Sequence, residues 1–139
     1  MKTWRSRTPQ ETRELGARLA EELVPSGTLL LVGELGSGKT VLVQGLANGL
    51  GIDPGQVQSP TFTLIREHGG GNLRLIHVDL YRLEPGEAGA LGLEEIVAGP
   101  GVKAIEWAER LPFSVPGATR LRFERTASGE RVIYRDNDE

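Results

Sequence analysis

The residues best suited to chemistry form one stretch, Gly33-Glu34-Leu35-Gly36-Ser37-Gly38-Lys39-Thr40, in which two glycines are separated by four residues and followed by lysine and a hydroxyl. Such a loop cradles phosphate: its glycines let successive backbone N–H groups face one point, the lysine reaches the outer phosphates and the hydroxyl ligates Mg²⁺. Composition alone predicts roughly 0.006 matches to this pattern in the chain. The candidate nucleotide contacts are Gly33, Leu35, Gly36, Ser37, Gly38, Lys39, Thr40 and Val41. Nucleotide-bound Mg²⁺ also calls for a carboxylate, commonly supplied from the end of a buried strand. Asp79 follows Leu75-Ile76-His77-Val78, and Glu106 follows Val102-Lys103-Ala104-Ile105. Both are candidate metal ligands and, with Lys39, candidate catalytic groups. Either is alternatively a structural partner of an arginine. His77 reads as a hydrogen-bonded structural histidine. Trp107 is core, or lies beside the metal site as the neighbour of Glu106.

These groups need a scaffold to hold them. Thr28-Leu29-Leu30-Leu31-Val32 has the apolar continuity of a fully buried strand, and Val41 to Leu50 carries Leu42, Leu46 and Leu50 at helical spacing before Gly51. The glycine loop therefore ends at a helix N-terminus, where phosphate is favoured. Upstream, Thr8-Pro9-Gln10-Glu11 reads as a capping box, followed by Leu15, Leu19 and Leu23 on one helical face up to Pro25. Thr8 or Thr12, near that helix start, are candidates to lie beside the nucleotide base. Residues 61 to 81 read as a hairpin turned at His68-Gly69-Gly70-Gly71-Asn72. Residues 84 to 98 predict a short or broken helix ended by Gly99-Pro100-Gly101, a plausible cover for the site. Val102 to Trp107 predicts a strand, and Arg120 to Glu124 with Arg131 to Tyr134 predict a hairpin around Ser128-Gly129. The fold class implied is α/β: one phosphate-loop NTPase-like domain over residues 1–139, with a mixed, mostly parallel central sheet, antiparallel hairpins and flanking helices.

Composition narrows the function. The 139 residues carry a formal net charge of −3, unlike the basic footprint of a stand-alone nucleic-acid binder. There is no cysteine, which excludes thiol catalysis, disulfides and cysteine-ligated metal. No apolar run reaches membrane-spanning length and the N-terminus lacks a signal-peptide core, so a cytoplasmic chain that does not engage membranes is expected. No Asn-Lys-x-Asp stretch selects guanine. A small-molecule kinase would need a lid with phosphate-clamping arginines, and residues 84 to 98 contain none.

Taken in order, Gly33 to Thr40, Ser59-Pro60-Thr61-Phe62-Thr63-Leu64, His77-Val78-Asp79-Leu80-Tyr81-Arg82-Leu83 and Ile105-Glu106-Trp107 resemble the TsaE (YjeE) family over nearly the whole chain. Members are small bacterial ATPases that work with TsaB and TsaD in making threonylcarbamoyladenosine on tRNAs reading codons that start with A. The resemblance implies a partner-bound ATPase with ATP and Mg²⁺ as cofactors, TsaD-like and TsaB-like partners, tRNA met indirectly through that complex, and a monomeric isolated chain. It further implies that Lys39 and Thr40 hold phosphate and Mg²⁺, that Glu106 ligates the metal and that Asp79 matters for activity. Ser59 to Thr63 would be a switch-like segment, with Thr61 and Trp107 near the nucleotide. Ala108 departs from the pattern, standing where proline is frequent, and the chain past Arg110 matches only in outline. A nucleotide-gated assembly module with incidental hydrolysis is the non-enzymatic alternative.

Overall fold

The apolar run of residues 28–32 lies at the centre of a seven-stranded sheet. The computed structural model describes residues 2–34, 36–57, 65–70, 73–83 and 92–136. Its elements run β1 (Lys2–Ser6), α1 (Pro9–Leu23), β2 (Ser26–Gly33), α2 (Lys39–Gly49), β3 (Ile65–Gly70), β4 (Leu73–Asp79), α3 (Leu93–Ala98), β5 (Gly101–Glu106), β6 (Thr119–Arg125) and β7 (Arg131–Asp136). The sheet order is β1-β7-β6-β2-β5-β4-β3. β6, β2, β5 and β4 are mutually parallel, while β7 and β1 extend one edge and β3 the other by antiparallel pairing. The expected mixed α/β sheet is what forms.

Helix α1 starts where the capping box placed it: Thr8 Oγ1 accepts from the Glu11 N–H at 3.1 Å, and the Glu11 carboxylate accepts from the Arg7 N–H at 3.0 Å. α1 and α2 pack without intervening side chains. A Cβ on Gly45 would lie 2.0 Å from the Arg13 carbonyl oxygen, and one on Gly16 would lie 2.2 Å from that of Leu42, so these glycines set the interhelical distance. Under the helix pair, Leu29 and Leu31 of β2, Leu75 of β4, Val102 and Ala104 of β5 and Leu121 of β6 join Leu15, Leu19, Leu42 and Leu46 in one buried cluster. Each fully buried aliphatic side chain contributes about 1.5–3 kcal/mol. The opposite face carries a second, smaller cluster: Leu30, Val78 and Ile105 of the sheet packed with Leu83, Leu93 of α3, Ala108, Val115 and Ala118.

Strand alternation then decides which side chains share a face. His77 and Asp79 have the parity of Leu75, and Glu106 that of Val102 and Ala104, so all three project toward α2. Lys103 has the parity of Ile105 and belongs to the α3 side. β1 has no counterpart among the expected elements. It is a five-residue, largely exposed edge strand with two basic residues, held by pairing with β7 rather than by an apolar pattern.

Candidate functional site

At the C-terminal ends of the four parallel strands, β2 turns through the glycine loop into α2. Gly38 has φ +107°, in the region that favours glycine, and it is the N-cap of α2, so the helix begins with Lys39 and Thr40. The Thr40 hydroxyl lies 3.0 Å from each oxygen of the Glu106 carboxylate. Glu106 stands at the end of β5 in register with Asp79 at the end of β4, and both are buried. Among the described residues, the groups hydrogen-bonded to Glu106 are Thr40 and His77, not an arginine. His77 Nε2 lies 2.5 Å from Oε2 of Glu106, and the ring has no exposed surface. With the proton on Nε2 the imidazole donates to the carboxylate. That leaves Nδ1 as a buried acceptor without a hydrogen bond among the described residues. Asp79 Oδ1 accepts from the Tyr81 N–H at 2.9 Å, which fixes the carboxylate against the turn that follows β4.

Lys39 is only 4% exposed although it belongs to the loop that should meet phosphate. Its amine donates to the carbonyl of Gly33 and, at 3.4 Å, to that of Glu34. The same nitrogen sits 3.8 Å from the centre of the Trp107 ring, a cation–π contact. Burial pushes the Lys39 amine below its ordinary range, opposed by the charges of Glu106, Glu109 and Asp79. Trp107 has φ 59°, uncommon for a bulky residue, and this turn after β5 swings its ring beneath Lys39 and 4.9 Å from Tyr81. Trp107 thus belongs to the site's edge. Gly33, Ser37 and Trp107 line a cleft of about 530 Å³ together with Arg122, Glu124 and Arg125 of β6.

On the other side of the loop, Thr8 and Val41 line a crevice of about 100 Å³ with Gly38, Thr12 and Arg131. The structure therefore brings Gly33, Gly36, Ser37, Gly38, Lys39, Thr40, Val41, Thr8, Asp79, Glu106 and Trp107 around one loop. Leu35 and Thr61, and with Thr61 the whole Ser59 to Thr63 segment, lie outside the described residues. So does the first half of the proposed cover, residues 84–91.

Two contacts of the site were not foreseen from the sequence. His77 is the hydrogen-bonded structural histidine expected, but its partner, the Glu106 carboxylate opposite Thr40, is not legible from the sequence. Arg131 donates to the Gly36 carbonyl at 3.1 Å from the far hairpin, a contact across 95 residues of sequence that no local pattern marks.

A mixed α/β sheet with a phosphate-loop motif at the carboxyl ends of its parallel strands defines the class of protein. The particular family follows from comparison: residues 6–133 match the family model described as "Threonylcarbamoyl adenosine biosynthesis protein TsaE", and the chain belongs to that family. It is 50% identical over 108 residues to the tRNA threonylcarbamoyladenosine biosynthesis protein TsaE of Nostoc sp. strain PCC 7120, covering 75% of this chain and 66% of that one. To the protein of the same name from Bacillus subtilis it is 40% identical over 131 residues, covering 94% and 82%. Among solved structures, that of Bacillus subtilis YdiB superposes with a TM-score of 0.73 at 35% identity, covering 95% of this chain and 82% of the other.

Proposed function

We propose that the chain binds Mg²⁺-ATP in the cleft around the glycine loop and hydrolyses it slowly by itself, as the ATPase of a complex with TsaB-like and TsaD-like proteins that forms threonylcarbamoyladenosine on tRNA. The observation that carries this reading is the buried meeting of Thr40 and Glu106 at the head of α2. A carboxylate and a hydroxyl brought together at the edge of a phosphate loop form the donor set that a nucleotide-bound magnesium ion takes from a protein. Among the described residues no group of three or more His, Asp or Glu is arranged to hold a metal ion by itself. That fits an ion arriving with phosphate oxygens as its remaining ligands. Thr40 and Glu106 would hold it, with Asp79 next to Glu106. The metal supplies neutralisation of charge on the outer phosphate oxygens.

The protein's own groups do the rest. The amides of Gly36 to Lys39 and the α2 N-terminus receive phosphate charge. Lys39 must exchange the Gly33 and Glu34 carbonyls for a phosphate oxygen, a swap that keeps its charge paired throughout. His77 keeps one oxygen of Glu106 engaged, so the carboxylate cannot rotate away. Asp79, buried at the neighbouring strand end, is placed to accept a hydrogen bond from the attacking water. Slow intrinsic hydrolysis is expected because two arginines that flank the loop are committed to backbone carbonyls. Arg110 donates to the Leu83 carbonyl at 2.7 Å and Arg131 to the loop backbone, and a stabilising arginine supplied by a partner accelerates such reactions by about 10³–10⁵.

The Lys39 arrangement also suits the nucleotide-gated reading, in which binding alone rearranges Lys39 and Trp107 to set partner affinity. Glu106→Gln separates the two. If turnover matters, this variant binds ATP and still assembles with the TsaB–TsaD pair, but fails to support tRNA modification. Full modification by Glu106→Gln would remove hydrolysis from the function and leave the gate. Single-turnover hydrolysis at the same rate with and without the partners and tRNA would overturn the partner-completed site.

A further inference from the structure

A second buried lysine lies at the other end of the sheet. Lys103, in register with Thr28 of β2, is 2% exposed, and its amine donates to the carbonyl of Gly99 at the C-terminus of α3. An ammonium has three protons to place, and this contact accounts for one. Burial lowers its proton affinity, without the raising effect of nearby carboxylates that partly offsets burial at Lys39. Lys103 lines a cleft of about 450 Å³ bounded by the starts of β2 and β5, by α3 and by the 113–118 loop. Its volume is that of a small-molecule site. Lys103, in the first half of β5, and Glu106, at its C-terminal end, project to opposite faces of the sheet, so this cleft and the nucleotide cleft are separate.

We propose that this cleft is a second ligand site, in which the Lys103 ammonium binds the carboxylate of a small organic acid whose apolar body lies against Val97, Phe113 and Val115. The walls decide the ligand's chemistry. One cation and the Thr28 hydroxyl suit the two oxygens of a single carboxylate, whereas a phosphate dianion has three oxygens to satisfy and would face the carbonyl end of α3. Val97 and Phe113 are partly buried members of the apolar cluster on this face, and Val115 is a buried one, so they offer a hydrophobic surface next to the charge. Among the described residues Glu94 is the one carboxylate lining the cleft; it is exposed on α3, and as a like charge at the rim it weakens the anion's binding without blocking it.

The test is a titration of the full chain with hexanoate, followed by the Cε–Hε resonance of Lys103. Lys2, Lys39 and Lys103 are the chain's lysines, so the three signals are assignable by substitution. The expected result is a saturable shift of Lys103 with half-saturation at roughly millimolar hexanoate. Hexanamide, the neutral isostere, should bind at least about tenfold more weakly, as loss of one desolvated charge-assisted contact implies. Glu94→Gln should tighten hexanoate binding and Val97→Trp, which fills the cleft while leaving Lys103 in place, should abolish it. Mg²⁺-ATP should leave the hexanoate titration unchanged. A Lys103 signal that drifts linearly without saturating, equal binding of hexanamide, or unaltered hexanoate binding in Val97→Trp would each overturn the proposal. Because the Val97→Trp arm keeps the lysine, the outcome does not depend on a Lys103 variant folding.

Discussion

Lys39 and Lys103 are both almost completely buried, and both point their amines at backbone carbonyls, yet they occupy opposite electrostatic environments. Around Lys39 stand Glu106, Asp79 and Glu109, with the Trp107 ring in direct contact. Around Lys103 stand the Gly99 carbonyl, the apolar side chains of Val97, Phe113 and Val115, and, exposed at the cleft rim, Glu94. Burial alone penalises either charge; what differs is compensation. A lysine compensated by carboxylates can be drawn out to a phosphate and returned, since its charge is paired in both positions. An uncompensated one retains unmet demand for an anion. The two lysines thus present one cation each, one proposed to meet a polyphosphate and its metal, the other a lone carboxylate.

The largest effect should come from removing the compensated charge. Lys39→Ala is expected to weaken ATP binding about 100-fold, the cost of losing a charge-assisted contact to phosphate, with an unchanged fold by circular dichroism. Calorimetry returning wild-type affinity for that variant would show that nucleotide, if bound, lies elsewhere. His77→Gln comes next. Glutamine reaches Glu106 imperfectly, and loss of a hydrogen bond behind a metal-ligating carboxylate typically weakens metal affinity about 10- to 100-fold. Competition between Mg²⁺ and Mn²⁺ on the ADP-bound protein would read this directly, and ADP affinity in chelator should not move. A change confined to thermal stability would reduce His77 to a packing residue.

The pH dependence of folding should expose the uncompensated lysine. Lys103 in the folded chain loses its proton more readily than at its ordinary value near 10.5, so the unfolded chain holds more protons in the window just below that value, and stability rises with pH across it. Lys39 contributes a slope of the same sign. Lys103→Met should flatten the curve and at neutral pH stabilise the fold by about 1 kcal/mol, since methionine keeps the volume and removes a buried charge. Urea midpoints at several pH values would show it; a curve with the wild-type slope would mean that the charge is solvated. The smallest effect is optical. Emission should respond to Mg²⁺-ATP through Trp107, which touches Lys39, so Trp4→Phe should retain the response and Trp107→Phe should lose most of it.

Much of the nucleotide end was legible in the sequence because its signals are local. The glycine loop, the apolar run of β2 and the Leu42-Leu46 spacing of α2 are each read within a few turns of chain, and the two acids stand at the ends of recognisable strands. His77 is a hydrogen-bonded structural histidine as its place in a strand suggests, but a histidine in a strand carries no mark of what faces it. Only the β4–β5 register, Asp79 against Glu106, brings its ring to the carboxylate. The glycines of α1 and α2 gave no warning of their use either: Gly16 and Gly45 look like helix-weakening residues until the two helices are seen in backbone contact.

By itself, the sequence determined the glycine-loop motif, the α/β class, the order of the main elements and the family, since these depend on residue types at short spacing and on burial periodicity. The tertiary structure decided which face of the sheet each charge occupies and what stands opposite it. Lys103 and Glu106 are three residues apart in one apolar strand, and the period of two sends one toward α3 and the other toward Thr40. Their surroundings come from segments tens of residues away. Whether a buried charge is compensated is a property of the groups packed against it, and that packing exists only in the folded chain.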